Sequence, residues 1–95
     1  MIVIRTDDAG ESDYKAFATR KSASVHFRNE LLEVFEGAYQ RVAAYDVPDA
    51  KNVQDAIDAV KNADPSIRLL RVEESTAARM ERLIREISPD LEFDI

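Results

Sequence analysis

The spacing of apolar residues divides the chain into segments. Met1 to Thr6 carries Ile2, Val3 and Ile4, a short β-branched apolar run that reads as a strand. Apolar residues on both sides of its pleat predict an interior strand. Asp7 to Asp13 is small, acidic and centred on Gly10, which predicts a loop. Asp13 to Ala23 supports two readings. Tyr14, Phe17 and Ala18 sit at helical spacing behind Ser12, yet Tyr14 to Thr19 also fits a second strand closing a hairpin across Gly10. The hairpin is the favoured reading, and it puts the next helix start, with its cap, at Ser22 or Ser24.

Val25 to Tyr45 has the clearest helical period. Phe27, Leu31, Val34, Phe35, Ala38, Val42 and Tyr45 fall on one side, with Arg28, Glu30, Glu33, Glu36 and Gln40 between them. Gly37 inside that helix costs about 1 kcal/mol relative to Ala, so a closely packed neighbour is expected there. Pro48 breaks the pattern, and Asp46 or Asp49 can cap the next helix. That second helix is expected from Ala50 to Ala63, with Val53, Ala56, Ile57 and Val60 as its apolar stripe and Asp64-Pro65 as its stop.

Ile67 to Val72 reads as a strand. Ser75 or Thr76 then caps a third helix that buries Ala77, Met80, Ile84 and Ile87 and ends at Ser88-Pro89. Leu91 to Ile95 alternates apolar and acidic residues, as a strand with one wet face does. Short joins between strand, helix and strand predict a parallel pair with a crossover helix. The expected fold is therefore α/β or α+β. It is a single domain, 1–95, with a three- to four-stranded mixed sheet, three helices and a C-terminal βαβ unit.

Composition narrows the chemistry. The chain has 95 residues, enough for one modest core. It has no Cys, which excludes disulfides, thiolate zinc sites and cysteine nucleophiles. Its 2 Gly are too few for a glycine-rich phosphate loop. No apolar run is long enough to cross a membrane, and Arg5, Asp7 and Asp8 follow the first apolar residues too soon for a secretory signal. A cytoplasmic protein is expected.

The net charge is −6, from 19 acids and 13 Lys+Arg. The first 46 residues carry 8 acids against 6 bases, and the last 49 carry 11 against 7. Such a balance disfavours generic contact with nucleic acid and permits a basic protein partner. Asp90, Glu92 and Asp94 concentrate acid on the wet face of the last strand and are the candidate partner-binding residues. A plainer account is that charge on an edge strand discourages aggregation.

Other constellations are weaker. Asp7 and Asp8 follow the first strand, where paired carboxylates could hold Mg²⁺, but a solvated turn also explains them. His26 is the only histidine, and no nucleophile or metal motif surrounds it. Lys15, Arg20, Lys21, His26 and Arg28 form the one basic stretch, with no acid between Asp13 and Glu30. Arg20, Lys21 and Arg28 beside a helix start would make an anion-binding corner. The ordinary explanation is neutralisation by the acidic loop upstream. Arg79, Arg82 and Arg85 recur on the third helix, but Glu81 and Glu86 share it, so a salt-bridged face is favoured over phosphate contact.

These features favour a small acidic, non-catalytic interaction protein of inhibitor, immunity or antitoxin-like regulator type. It would dock on a basic site of a partner protein, including one that handles nucleic acid, and would need neither cofactor nor metal. Self-association into a homo-oligomer stays open. The alternative is a phosphate- or Mg-dependent ligand-binding or enzyme domain using Asp7, Asp8 and the Lys15 to Arg28 segment.

Overall fold

The computed structural model describes residues 1–75. In chain order these form strand β1 (Ile2–Asp8), strand β2 (Glu11–Phe17), helix α1 (Arg20–Phe35), strand β3 (Arg41–Asp46), helix α2 (Val53–Lys61) and strand β4 (Arg68–Glu74). The strands make one four-stranded sheet in the order β2-β1-β3-β4. Every neighbouring pair is antiparallel. The mixed sheet expected from the sequence is thus not what forms among the described residues. The expected βαβ unit, third helix and last strand lie beyond them, apart from β4.

β1 is an interior strand, as its apolar run predicts. Its alternation feeds two cores. Ile2 and Ile4 pack with Phe27, Leu31 and Val34 of α1, together with Val42 and Ala44 of β3. Val3, one step out of phase, packs with Val47 and with Ala56 and Val60 of α2. Alternate side chains leave a strand on opposite faces. The two helices therefore cover opposite faces, and the described chain forms three layers.

The hairpin reading of β2 is also what the structure has. Asp8 faces Glu11 across a two-residue turn. Ala9 and Gly10 both have positive φ, at 48° and 85°. That is the type I′ geometry matching the twist of paired strands. The expected loop from Asp7 to Asp13 shrinks to these two residues.

The long helix needs the largest correction. Its C-terminal part is not helical: Val42 and Tyr45 belong to β3. The helix stops because Gly37 adopts φ +81°. The N–H of Gly37 donates to the Val34 carbonyl at 3.2 Å, and that of Ala38 to the Glu33 carbonyl at 2.9 Å. These two bonds are the Schellman C-cap, which closes a helix with a left-handed residue. No close neighbour explains Gly37, since a Cβ built there would meet nothing within 4 Å.

The start shifts as well. Thr19, not a serine, caps α1, its hydroxyl oxygen accepting from the Ser22 N–H at 3.2 Å. Ser24 lies buried inside the helix. α2 is shorter than expected and is capped by Asn52, which accepts from the Asp55 N–H at 2.9 Å. Neither Asp46 nor Asp49 takes that role. β4 runs two residues past Val72, and Ser75 still donates its N–H to the Gln40 carbonyl at 2.9 Å. A register shift between Ala44 and Tyr45 sets Ala44 opposite Arg71 and Tyr45 opposite Leu69.

Candidate functional site

The strand-end acids separate. Asp7 lies on the α2 side of the sheet, in one row with Ser12 and Arg41. Its Oδ1 accepts from Arg5 Nε at 2.8 Å and from the Ser12 hydroxyl at 2.7 Å. Arg41 Nε stands 3.5 Å from Oδ2, an ion pair without a hydrogen bond. Burial pushes the Asp7 carboxyl up, but the bonds from Ser12 and Arg5 and the charges of Arg5 and Arg41 outweigh it and hold it below its ordinary value. Asp8, the next residue along, leaves the opposite face and is exposed at the turn. The two carboxylates diverge, and Asp7 already spends its oxygens on protein donors. Among the described residues, no three His, Asp or Glu side chains gather as a metal site requires.

Arg20, Lys21 and Arg28 do not converge either. Arg20 and Lys21 are exposed in the first turn of α1, whereas Arg28 is half-buried. Eight residues of helix put Arg28 about 12 Å further along the axis from Arg20. A helix start with two cations and no acid in its first turn is electrostatically suited to an anion, but these side chains do not enclose one.

A denser cluster lies where α1 passes over β2. His26 Nε2 is 3.6 Å from Glu30 Oε1, one helical turn on, too long for a hydrogen bond. The Phe17 ring stacks beside His26 with centroids 5.0 Å apart. Burial lowers the His26 pKa, and the Lys15 charge lowers it further. Burial likewise raises that of Glu30, helped by Glu33 and Asp13. A lowered pKa leaves the His26 imidazole mostly uncharged at neutral pH, so the contact is not an ion pair there.

A further group of acids lies beside α2. An open depression there is lined by Asp49, Asp55, Asp58 and Asp64, with Asn62, Ser66 and the apolar Val47, Ala50 and Ala59. Asp55 and Asp58 are three residues apart on one helix face. The loops before and after the helix bring Asp49 and Asp64 to its ends. Ser66 donates both its N–H and its hydroxyl to Asp64, at 2.9 and 2.8 Å, and these bonds hold that carboxyl below its ordinary value. Asp58 accepts from Gln54 at 2.8 Å. In the sequence, Asp49 and Asp64 read only as helix punctuation, and this surface does not announce itself. The usable signal is the i, i+3 pair Asp55 and Asp58 between them.

A second open depression, at the sheet end, is lined by Asp7, Gln40, Arg41, Glu74 and Ser75 and carries both signs of charge. Asp90, Glu92, Asp94 and the arginines at 79, 82 and 85 lie outside the described residues. No helix among the described residues is long and apolar enough to cross a membrane. Compared with known proteins, the chain matches no family model, no curated protein and no solved structure.

Proposed function

We propose that the protein is a small, cytoplasmic, non-catalytic interaction module of inhibitor, immunity or antitoxin-like regulator type. It docks an acidic surface on a basic site of a partner protein, including one that handles nucleic acid. The observation that carries this reading is the depression along α2, where four aspartates line a surface open to solvent. Small-molecule sites are usually concave, mostly apolar and largely enclosing. An open, acid-rimmed surface suits a protein that presents Lys and Arg. The same charge speeds encounter with such a partner and makes it sensitive to salt. The divergence of Asp7 and Asp8 weighs against the Mg-dependent alternative.

The test is affinity capture from the native host followed by mass spectrometry. It compares the wild-type chain with Asp55→Lys/Asp58→Lys and with Glu92→Lys/Asp94→Lys. A basic protein retained by the wild type and lost from the α2 variant supports the reading. Loss from the C-terminal variant alone moves the docking surface to Asp90, Glu92 and Asp94. Retention by both variants, or capture of nothing specific, overturns it.

A further inference from the structure

The outer edge of β2 has a fixed backbone polarity. The Val47 N–H donates to the Met1 carbonyl at 2.8 Å and the Gln40 N–H to the Asp7 carbonyl at 2.9 Å. Odd-numbered residues of β1 thus turn their backbone groups toward β3. Its even-numbered residues turn toward β2, where they meet Phe17, Lys15, Asp13 and Glu11. In an antiparallel pair such facing residues exchange both bonds. The N–H and C=O groups of Ser12, Tyr14 and Ala16 are left pointing away from the sheet. Among the described residues no strand lies beyond β2. The Tyr14 N–H turns instead to the carboxylate of its neighbour Asp13, at 3.2 Å.

We propose that this edge is a self-association surface. Two copies pair antiparallel through β2 about a two-fold axis at Tyr14, joining their sheets into one. Charge selects the occupant and the register. An antiparallel pairing must place outward residues opposite outward residues. Centred on Tyr14, it sets Ser12 opposite Ala16 of the second copy, Asp13 opposite its Lys15, and Lys15 opposite its Asp13. Moving the centre by one residue sets Asp13 opposite Asp13, or Lys15 opposite Lys15. Asp13 and Lys15 are both exposed and share the α1 face of the strand. In the new pair they occupy the non-hydrogen-bonded sites, where Cα atoms stand about 4.5 Å apart and side chains are closest. Pairing replaces the makeshift Tyr14-to-Asp13 bond with a strand bond and frees the carboxylate for Lys15. This contact is separate from the α2 depression, which is lined by α2 and its flanking loops and by no residue of β2.

Sedimentation velocity from roughly 5 to 500 µM tests it, a range suited to an interface held by one strand pair and exposed charges. Asp13→Lys alone and Lys15→Asp alone each weaken self-association by on the order of tenfold or more, since each sets like charges opposite at two symmetric sites. An equimolar mixture of the two variants recovers it, because one then presents only cations and the other only carboxylates. Hydrogen exchange supplies a second readout that does not depend on the substitutions. Protection at the amides of Ser12, Tyr14 and Ala16 rises with protein concentration, while that at Asp13, Lys15 and Phe17 stays constant. A wild type that remains monomeric across the range overturns the proposal. So does a dimer that neither substitution weakens, or a mixture no better than its components.

Discussion

Four residues in the described chain hold left-handed backbone, two closing helices and two turning the hairpin, and they are chemically unequal. Gly37 closes α1 at φ +81°, where glycine has no Cβ to strain. Ala63 closes α2 at φ +51°, in an equivalent cap: its N–H donates to Val60 at 3.2 Å, and that of Asp64 to Ala59 at 2.9 Å. Ala9 and Gly10 stand at φ 48° and 85° in the hairpin turn. A non-glycine residue in this region costs roughly 1–2 kcal/mol. Ala63→Gly should therefore stabilise the protein by about 0.5–1 kcal/mol, and Gly37→Ala should destabilise it by about 1 kcal/mol. Chemical denaturation of both variants checks this. Equal and small effects would mean that the caps do not limit stability.

At the scale of elements, legibility depends on how many states a pattern permits. β1 is readable because Ile2, Val3 and Ile4 bury on both faces and Gly10 marks the turn. α2 is readable from Val53 to Val60, although its cap is Asn52 and neither Asp46 nor Asp49 as expected. The end of α1 is not readable from hydropathy. Val42 and Tyr45 happen to continue the period of Phe27 and Leu31. β3 also buries Val42, Ala43 and Ala44 in succession, so it shows none of the alternation that announces a strand. The deciding signal is Gly37, whose role depends on the sign of its φ. The acidic surface is illegible for another reason, since half of its carboxylates sit in loops and converge only when α2 folds. α1 itself depends on Phe27, fully buried and the largest side chain in its core. Phe27→Ala is expected to cost about 3–5 kcal/mol, a large part of a small domain's total. A urea midpoint within error of wild type would show that the α1 layer contributes little.

Across the whole molecule, charge couples stability to pH on the acid side. The lowered Asp7 carboxyl contributes stability that is present above its ordinary value of 3.8 and lost as pH falls through its folded value. The lowered His26 pKa has a parallel sign. The unfolded chain takes up the proton first, so stability declines as pH falls below the ordinary 6.5, and the decline ends once the folded imidazole is charged too. Denaturation at about pH 7.5, 5.5 and 3 resolves the two steps. His26→Gln should flatten the first and Asp7→Asn should reduce the second. A wild-type curve level from neutral pH to 5.5 would rule out the histidine contribution.

The strand order also dictates a sequence of events in time. β1 sits between β2, its neighbour along the chain, and β3, which arrives only after the whole of α1. The hairpin is a local structure of the kind that closes within microseconds. Pairing β1 with β3 must close a much longer loop and is the slower event. During that interval the hairpin shows an unfilled edge beside Ile2, Val3 and Ile4. A strand that ends inside the described sheet, covered on both faces, is thus open to wrong partners while the chain is folding.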